Sequence, residues 1–423
     1  MAPVSTAQAA GLDFGTSNST LGIWGADGPR LLPLEGEHPD IPTAIFFNFE
    51  DRKTRFGRRA KAEYIRGDEG RLMQSIKSVL GSSLVEERTA ILGRRVPFKE
   101  IIGNFLAHVK EQAETAAGRE ISNVVLGRPV FFVDDNPEAD RAAQNTLEEM
   151  ARGQGFDHIS FQYEPIAAAL AYEQSVTQEE VVLVVDIGGG TSDFSVVRVS
   201  PDNGKKQDRA DDILANTGVH IGGTDFDRLL SMAQVMPHLG YGSQTTDKKR
   251  NLPSKYYHDL STWHCINQLY DPKILRELRD VRREAASPEL VDRLSQVIEG
   301  RMGHALATYV EQGKIDLSGA QQAQLSLPLD TEDLNIPLSA QGFHNCIERS
   351  VSRINAEIKT ALSQAGLRAD QIHTVFLTGG TTRVPALRAS FKQTLSHAKL
   401  VEGDVFGAVG LGLAVDAARK FGV

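Results

Sequence analysis

Apolar positions follow two spacings along this chain: unbroken β-branched runs that end at glycine, and residues that recur three and four apart. The clearest run is Val181–Val199, VVLVVDIGGGTSDFSVVRV, where valine and leucine lead to Asp186, three glycines and a second β-rich stretch. Such residues favour strands, and adjacent glycines permit a tight turn with its N–H groups exposed. The stretch therefore predicts a buried hairpin whose turn faces an anion, most simply a phosphate. Gly11–Trp24, GLDFGTSNSTLGIW, repeats the layout, with Asp13 in the place of Asp186. The second spacing predicts helices over Phe98–Ala117 (Gly118 as its stop), Asp134–Gln154, Leu290–Lys314 as one long amphipathic helix, and Phe343–Ala365. After Glu164, Pro165 opens the alanine-rich IAAALAYE, since proline suits a first helical turn and alanine is the best helix former. Gly403–Ala418 is similarly rich in small residues, so each half closes on a helix fit for close packing.

Shorter strands are expected around Ile45–Phe49, at Ile121–Phe132 with an interruption at Pro129, at Ile159–Gln162, at Ile213–His220 and at Val375–Leu377, with a hairpin over Leu325–Leu338. Strands alternating with helices predict an α/β fold, and the paired hairpins and small-residue helices predict two related halves. The competing reading is two unrelated structural hairpins.

With 423 residues the chain is long enough for two lobes. Hydrophobic residues make up 41% and charged residues 24%, a globular balance. The net charge is −9, and no long lysine- or arginine-rich tract offsets it, so nucleic acid is not an expected partner. The basic stretch Arg52–Arg66 reads as a solvated face or as a surface for a partner or for nucleotide access. Two cysteines, Cys265 and Cys346, indicate no disulfide framework. His264 with Cys265, and His344 with Cys346, offer two ligands each, too few for a zinc site. MAPVSTAQAA reads as a short leader rather than a secretion signal, and no run reaches membrane-spanning length, so a soluble, cytoplasmic protein without membrane attachment is expected.

Candidate chemistry gathers at the glycine turns. Asp13 and Asp186 end strands beside them and would supply carboxylates to a metal. Gly222 and Gly223 before a helix form a further possible nest, and Thr378–Pro385, with Gly379, Gly380 and Arg383, is another strand-to-glycine loop. Lys77, among Ile76, Val79 and Leu80, either snorkels to solvent or stands as a fixed charge at a reaction centre. Glu311 and Lys314 lie three apart, on one helix face. Gly240–Pro253 is expected to be a mobile insertion, and Tyr256–Leu278 reads as a helical core or a partner site. The chain has no GxxxxGK[ST], HExxH or GxSxG arrangement.

Taken together, Asp13–Ser19, Asp186–Asp193 and Gly379–Pro385 resemble the actin-like ATPase domain of the seventy-kilodalton heat-shock (DnaK-like) chaperones, and in particular the short YegD-type members, from about Gly11 to Ala418. The resemblance implies a two-lobed actin-like ATPase with a duplicated ribonuclease-H-like core and two accessory subdomains. Lobe I would span 1–178, with an accessory subdomain at about 35–110, and be completed by the helix 405–423; lobe II would span 179–404, with its accessory subdomain at about 224–315. The implied ligands are ATP or ADP and Mg²⁺. Asp13 and Asp186 would hold hydrated Mg²⁺, and Thr16, Ser17, Asn18 and Gly188, Gly189, Gly190 and Thr191 would cradle phosphates. Lys77 matches a catalytic lysine; Glu164, Asp193 and Thr191 match groups that order water near the γ-phosphate. Gly222, Gly223, Glu311, Lys314, Gly379, Gly380, Arg383 and Asp404 would surround the nucleoside side of the pocket. Pro129 and Arg141 are similar to residues used in communication between domains.

The chaperones continue into a peptide-gripping β-sandwich and a lid, whereas this sequence closes at Val423, so the expectation is a chaperone-like ATPase without its own peptide-binding domain. An exchange factor, a co-chaperone or a client protein would be its partners; nothing in the sequence fixes an oligomeric state, and a monomer is the default. Three other readings stand beside ATP hydrolysis: a nucleotide-held switch with negligible turnover, a small-molecule kinase of the same architecture, and a filament-forming actin-like protein.

Overall fold

The computed structural model describes residues 8–133, 136–173, 176–203, 206, 208–329, 333–403 and 407–422. Two sheets dominate it, and both are built in the same order. In the first, the strand Gln8–Phe14 runs parallel to Ile121–Arg128, which runs parallel to His158–Tyr163; on its other side it pairs antiparallel with Asn18–Gly25, itself antiparallel to Gly28–Leu31. In the second, Glu180–Ile187 takes the central place, parallel to Thr374–Thr378 and then Lys399–Glu402, and antiparallel to Ser192–Val199 and then Ile213–Val219. Asp13 and Asp186 occupy the same register position, one residue before the end of each central strand, opposite Thr20 and Asp193 respectively. Val182, Leu183, Val184 and Val185 are all buried, the unbroken apolar run expected of a strand covered on both faces.

The two small-residue helices join the halves. Ala408–Phe421 lies on the first sheet, while Glu164–Glu173, which follows the last strand of that sheet, packs against both Ala408–Phe421 and the second sheet. One buried cluster accordingly draws Ala9 and Val125 from the first sheet, Val182, Val184 and Val197 from the second, and Ala167, Ala168 and Leu413 from the helices. The approach is backbone to backbone. A Cβ on Gly412 would fall 1.8 Å from the carbonyl oxygen of Ala167, and one on Gly11 would fall 2.2 Å from the carbonyl carbon of Leu413.

A three-stranded sheet (Ala44–Asn48, Thr54–Phe56, Gly70–Gln74) with the helix Gly57–Arg66 forms an appendage on the N-terminal half. The appendage on the C-terminal half is helical: Gly223–Leu230, Lys255–Leu260, Pro272–Glu284, Pro288–Glu299 and Gly303–Leu317. Here three expectations change. Leu290–Lys314 is two helices rather than one, broken at Gly300–Met302, where Arg301 takes the left-handed conformation at φ 51°. The strand from Ile121 stops at Arg128, before Pro129, which has no N–H for the ladder. Gly240–Pro253 is tied down: Thr246 N–H donates to the Glu284 carbonyl at 2.8 Å, Ala286 N–H to that of Gln244 at 3.0 Å, and the Tyr241 ring lies 5.6 Å from that of Tyr257. The basic stretch 52–66 keeps Arg52, Lys53, Arg59 and Arg66 exposed as a solvated face, with Arg55 and Arg59 paired to Glu63, and Arg58 to Asp40 and Glu35.

The helix crossing predicts a test. Gly412→Ala should destabilise the protein by about 3 kcal/mol, the upper range for overpacking, because the obstructing atoms belong to backbone. Gly319→Ala, with nothing nearer than 3.9 Å, should stay within about 0.5 kcal/mol. Urea unfolding midpoints of the two variants decide the matter, and equal midpoints would refute the crossing as drawn.

Candidate functional site

A cleft of about 3200 Å³ runs between the halves, and both hairpin turns open into it. The turns touch: a Cβ on Gly189 would lie 2.5 Å from Oγ of Ser17. The first turn is held from below, with Thr43 donating its hydroxyl to the Gly15 carbonyl at 2.8 Å and its N–H to that of Ser17 at 2.9 Å. The second is held by its carbonyls. Gly188 O accepts from Gly223 N–H at 3.0 Å and from the Thr381 hydroxyl at 3.0 Å, and Gly189 O accepts from Thr224 N–H at 2.8 Å. The N–H groups of Gly189 and Gly190 have no backbone acceptor among the described residues, which leaves them available to an anion. Gly379, at φ 79°, closes the stack. A Cβ there would meet the Ile187 carbonyl oxygen at 2.3 Å and Asp186 Oδ1 at 2.7 Å, so only glycine fits this approach.

Asp13, Asp186, Asp193, Glu164 and Lys77 line the cleft here, close enough for their charges to act on one another. Lys77 arrives from the N-terminal appendage on a single turn, Ile76–Val79, entered through Ser75 in the left-handed conformation at φ 54°. Ile76 beside it is buried and anchors that turn. Lys77 therefore does not snorkel to solvent: it is 9% exposed, and its Nζ lies 2.6 Å from Oε1 of Glu164. Thr191 donates its hydroxyl to Asp193 at 3.0 Å.

One lysine for four carboxylates leaves the centre short of positive charge. Burial, reinforced by Glu164 and opposed by Lys77, pushes the Asp13 carboxyl up to about 7. Burial and then the charges of Asp193, Glu164 and Asp13 push Asp186 up to about 8. Asp193 is raised to about 6, chiefly by burial, with the Thr191 hydrogen bond working the other way. Burial alone would lower the Lys77 ammonium, but Glu164, Asp13 and Asp186 together hold it above its ordinary value. The chemistry the centre accepts is thus the arrival of cationic charge.

At the other end of the cleft, the expected nucleoside-side residues are brought together only in part. Glu311 and Arg383 are exposed and line the cleft. Lys314 lines it too but is buried, with its ammonium 2.8 Å from Asp227 and bonded to the Gly223 carbonyl at 3.3 Å. It ties the helix Gly303–Leu317 to the glycine stack instead of standing free beside Glu311. Thr16, Asn18, Gly222 and Gly380 sit in or beside the same stack. Asp404 lies outside the described residues.

Sequence reasoning missed Arg128. This buried arginine ends the strand Ile121–Arg128, and its guanidinium lies over the rings of Tyr163 and Phe132, 5.3 and 5.2 Å from their centroids. It donates to the carbonyls of Pro129 and Val130 and to Asp140, and so fixes the segment beside the start of the Glu164 helix. An arginine inside the apolar stretch LGRPVFF was the available signal. Arg141, one residue beyond Asp140, is exposed at the cleft.

The model of the family described as Hsp70 protein matches residues 9–240 and 288–422, most of the chain, and the match skips 241–287. Every residue of the carboxylate centre and of the glycine stack falls inside the matched stretches. The chain belongs to the Hsp70 protein family and has its mixed α/β actin-like ATPase fold.

Proposed function

We propose that this chain binds ATP with Mg²⁺ in its central cleft and hydrolyses it, in the manner of a YegD-type member of the family that works through partners. The observation that carries this reading is the carboxylate-rich centre where two like hairpins meet: Asp13, Glu164, Asp186 and Asp193 around Lys77. Asp13 and Asp186, raised by burial and mutual repulsion, are the groups a divalent cation would relieve. Mg²⁺ keeps several of its waters, so two carboxylates would suffice to hold it. When bound, Mg²⁺ supplies neutralising charge and Lewis acidity to the phosphates.

The residues divide the remaining work. Thr16, Ser17, Asn18 and the turn Gly189–Thr191 present N–H and hydroxyl donors to phosphate oxygens, where charge accumulates during transfer. Glu164, Asp193 and Thr191 orient the attacking water. Lys77, held by Glu164, sets a positive charge beside it. Glu311, Arg383 and the backbone of Gly222, Gly223, Gly379 and Gly380 form the nucleoside side, and Lys314 braces that wall through Asp227. The matching order of the two sheets supports a duplicated ribonuclease-H-like core, with lobe I at 1–178 completed by the last helix and lobe II at 179–404. A nucleotide-held switch is the second reading, favoured by the Lys77–Glu164 pair, in which two expected catalytic groups engage each other.

Lys77→Ala should lower single-turnover ATP hydrolysis by roughly 10²-fold with nucleotide affinity largely kept, the size of one preorganised electrostatic contact. Unchanged turnover would remove Lys77 from the mechanism. The carboxylates give a separate test without activity. Because Asp13 and Asp186 titrate far above their unfolded values, the folded state holds extra protons between about pH 4 and 8. In chelator and without nucleotide, their contribution to stability should therefore decline as pH rises through that window. Asp186→Asn should flatten the slope of melting temperature between pH 6 and 8, and parallel slopes in wild type and variant would contradict the carboxylate-rich centre.

A further inference from the structure

The stretch that the family match skips, 241–287, carries nine lysines and arginines against six acids, a net charge of +3 in a chain whose net charge is −9. Most of this positive charge sits on one helix and on the turn that abuts it. The helix Pro272–Glu284 is capped by Asp271, whose side chain accepts the Lys273 N–H at 2.8 Å, and it turns Ile274 and Leu278 into the core. Its outer surface bears two rows of opposite sign. Arg276, Arg279 and Arg283, all exposed, recur at i, i+3 and i+7, and Glu277, Asp280 and Glu284 repeat that spacing one position later. Beyond the C-terminal end, the exposed turn Lys248–Arg250 is held in place by the pairing of Arg250 with Glu284. Lys248 takes the left-handed conformation there, at φ 57°.

Only part of this charge is answered within the protein. Arg282 pairs with Asp292 on the neighbouring helix Pro288–Glu299, Arg283 with Asp280 at 2.9 Å, and Lys273 with Glu277 at 3.7 Å. Arg276, Arg279, Lys248 and Lys249 have no carboxylate partner among the described residues.

We propose that the row Arg276, Arg279 and Arg283, with Lys248 and Lys249 beyond its end, docks an acidic helical segment of a partner protein. The spacing sets the class of ligand. Guanidinium forks engage carboxylates through paired hydrogen bonds, and three forks over about 10 Å of helix match carboxylates repeated at each turn of a second helix. The acidic row excludes broader ligands. It runs along the same helix within about one Debye length of the arginines, so a bilayer or a nucleic-acid duplex laid across this face would meet both signs. A single helix is narrow enough to lie on the arginines alone. This docking is independent of the nucleotide reading of the cleft.

The test is the fluorescence anisotropy of a fluorescein-labelled alanine-based peptide titrated with the full chain. The peptide has about 20 residues, is helical by its alanine content, and carries glutamates at i, i+3 and i+7. Wild type should bind it, and more weakly as salt rises. Arg276→Gln/Arg279→Gln/Arg283→Gln should weaken binding roughly 10-fold, the combined effect of three exposed ion pairs, and Lys248→Gln/Lys249→Gln roughly 3-fold. Arg88→Gln/Arg94→Gln/Arg95→Gln removes as much charge from three exposed arginines of the N-terminal appendage and should leave the affinity at its wild-type value. Melting curves check that each variant is folded. No binding by wild type, or equal losses in the two triple variants, would overturn the docking surface. Tighter binding of phosphatidylserine vesicles or of a DNA duplex than of the peptide would overturn its assignment to an acidic helix.

Discussion

The contact on which the molecule depends is the crossing of two helices that have almost no side chains between them. Gly412 faces the Ala167 carbonyl across the crossing, and Gly11 on the first strand faces the backbone of the same last helix at Leu413, at distances no larger residue permits. Each helix thereby acts as a spacer of fixed thickness. Glu164 begins one of these helices, so the crossing also sets where its carboxylate stands relative to Lys77, Asp13 and Asp186. The meeting of Ser17 with Gly189 at the hairpin tips is a result of packing decided well below them.

The chemistry at the tips is built on imbalance. A protein that sought stability alone would not gather four carboxylates around one ammonium, since burial and like charge both oppose their ionisation. The imbalance is held because the strands end there, with their side chains aimed into the cleft by a register that the sheets fix elsewhere. Strain follows the same logic at Ser75, whose left-handed backbone delivers Lys77 from a separate appendage. Conformational and electrostatic tension meet at one place, and the surrounding apolar clusters hold it.

How much of this was legible in the sequence varied with the range of the interaction. The hairpins with Asp13 and Asp186 were readable because strand, glycine turn and strand are local patterns, and they recur. The small-residue helices were readable for the same reason. Lys77 could be read two ways, because its partner Glu164 lies 87 residues away and only the fold joins them. Lys314 looked free beside Glu311 because helix spacing reports a shared face, but not the Asp227 carboxylate that waits across it. The break at Gly300–Met302 escaped because the apolar periodicity continues through it, and one left-handed residue has no compositional mark. Arg128 escaped since its partners, Tyr163, Phe132 and Asp140, are assembled by tertiary structure.

The helix crossing also has a consequence for the order in which the chain is made. The first strand, Gln8–Phe14, needs Ala408–Phe421 against it to bury its face, and that helix is translated only after every strand of both sheets. Until then the N-terminal sheet carries an open apolar groove shaped for a helix that has not been translated. Completion of the first half therefore waits on a contact between segments far apart in sequence, the kind of contact that slows folding.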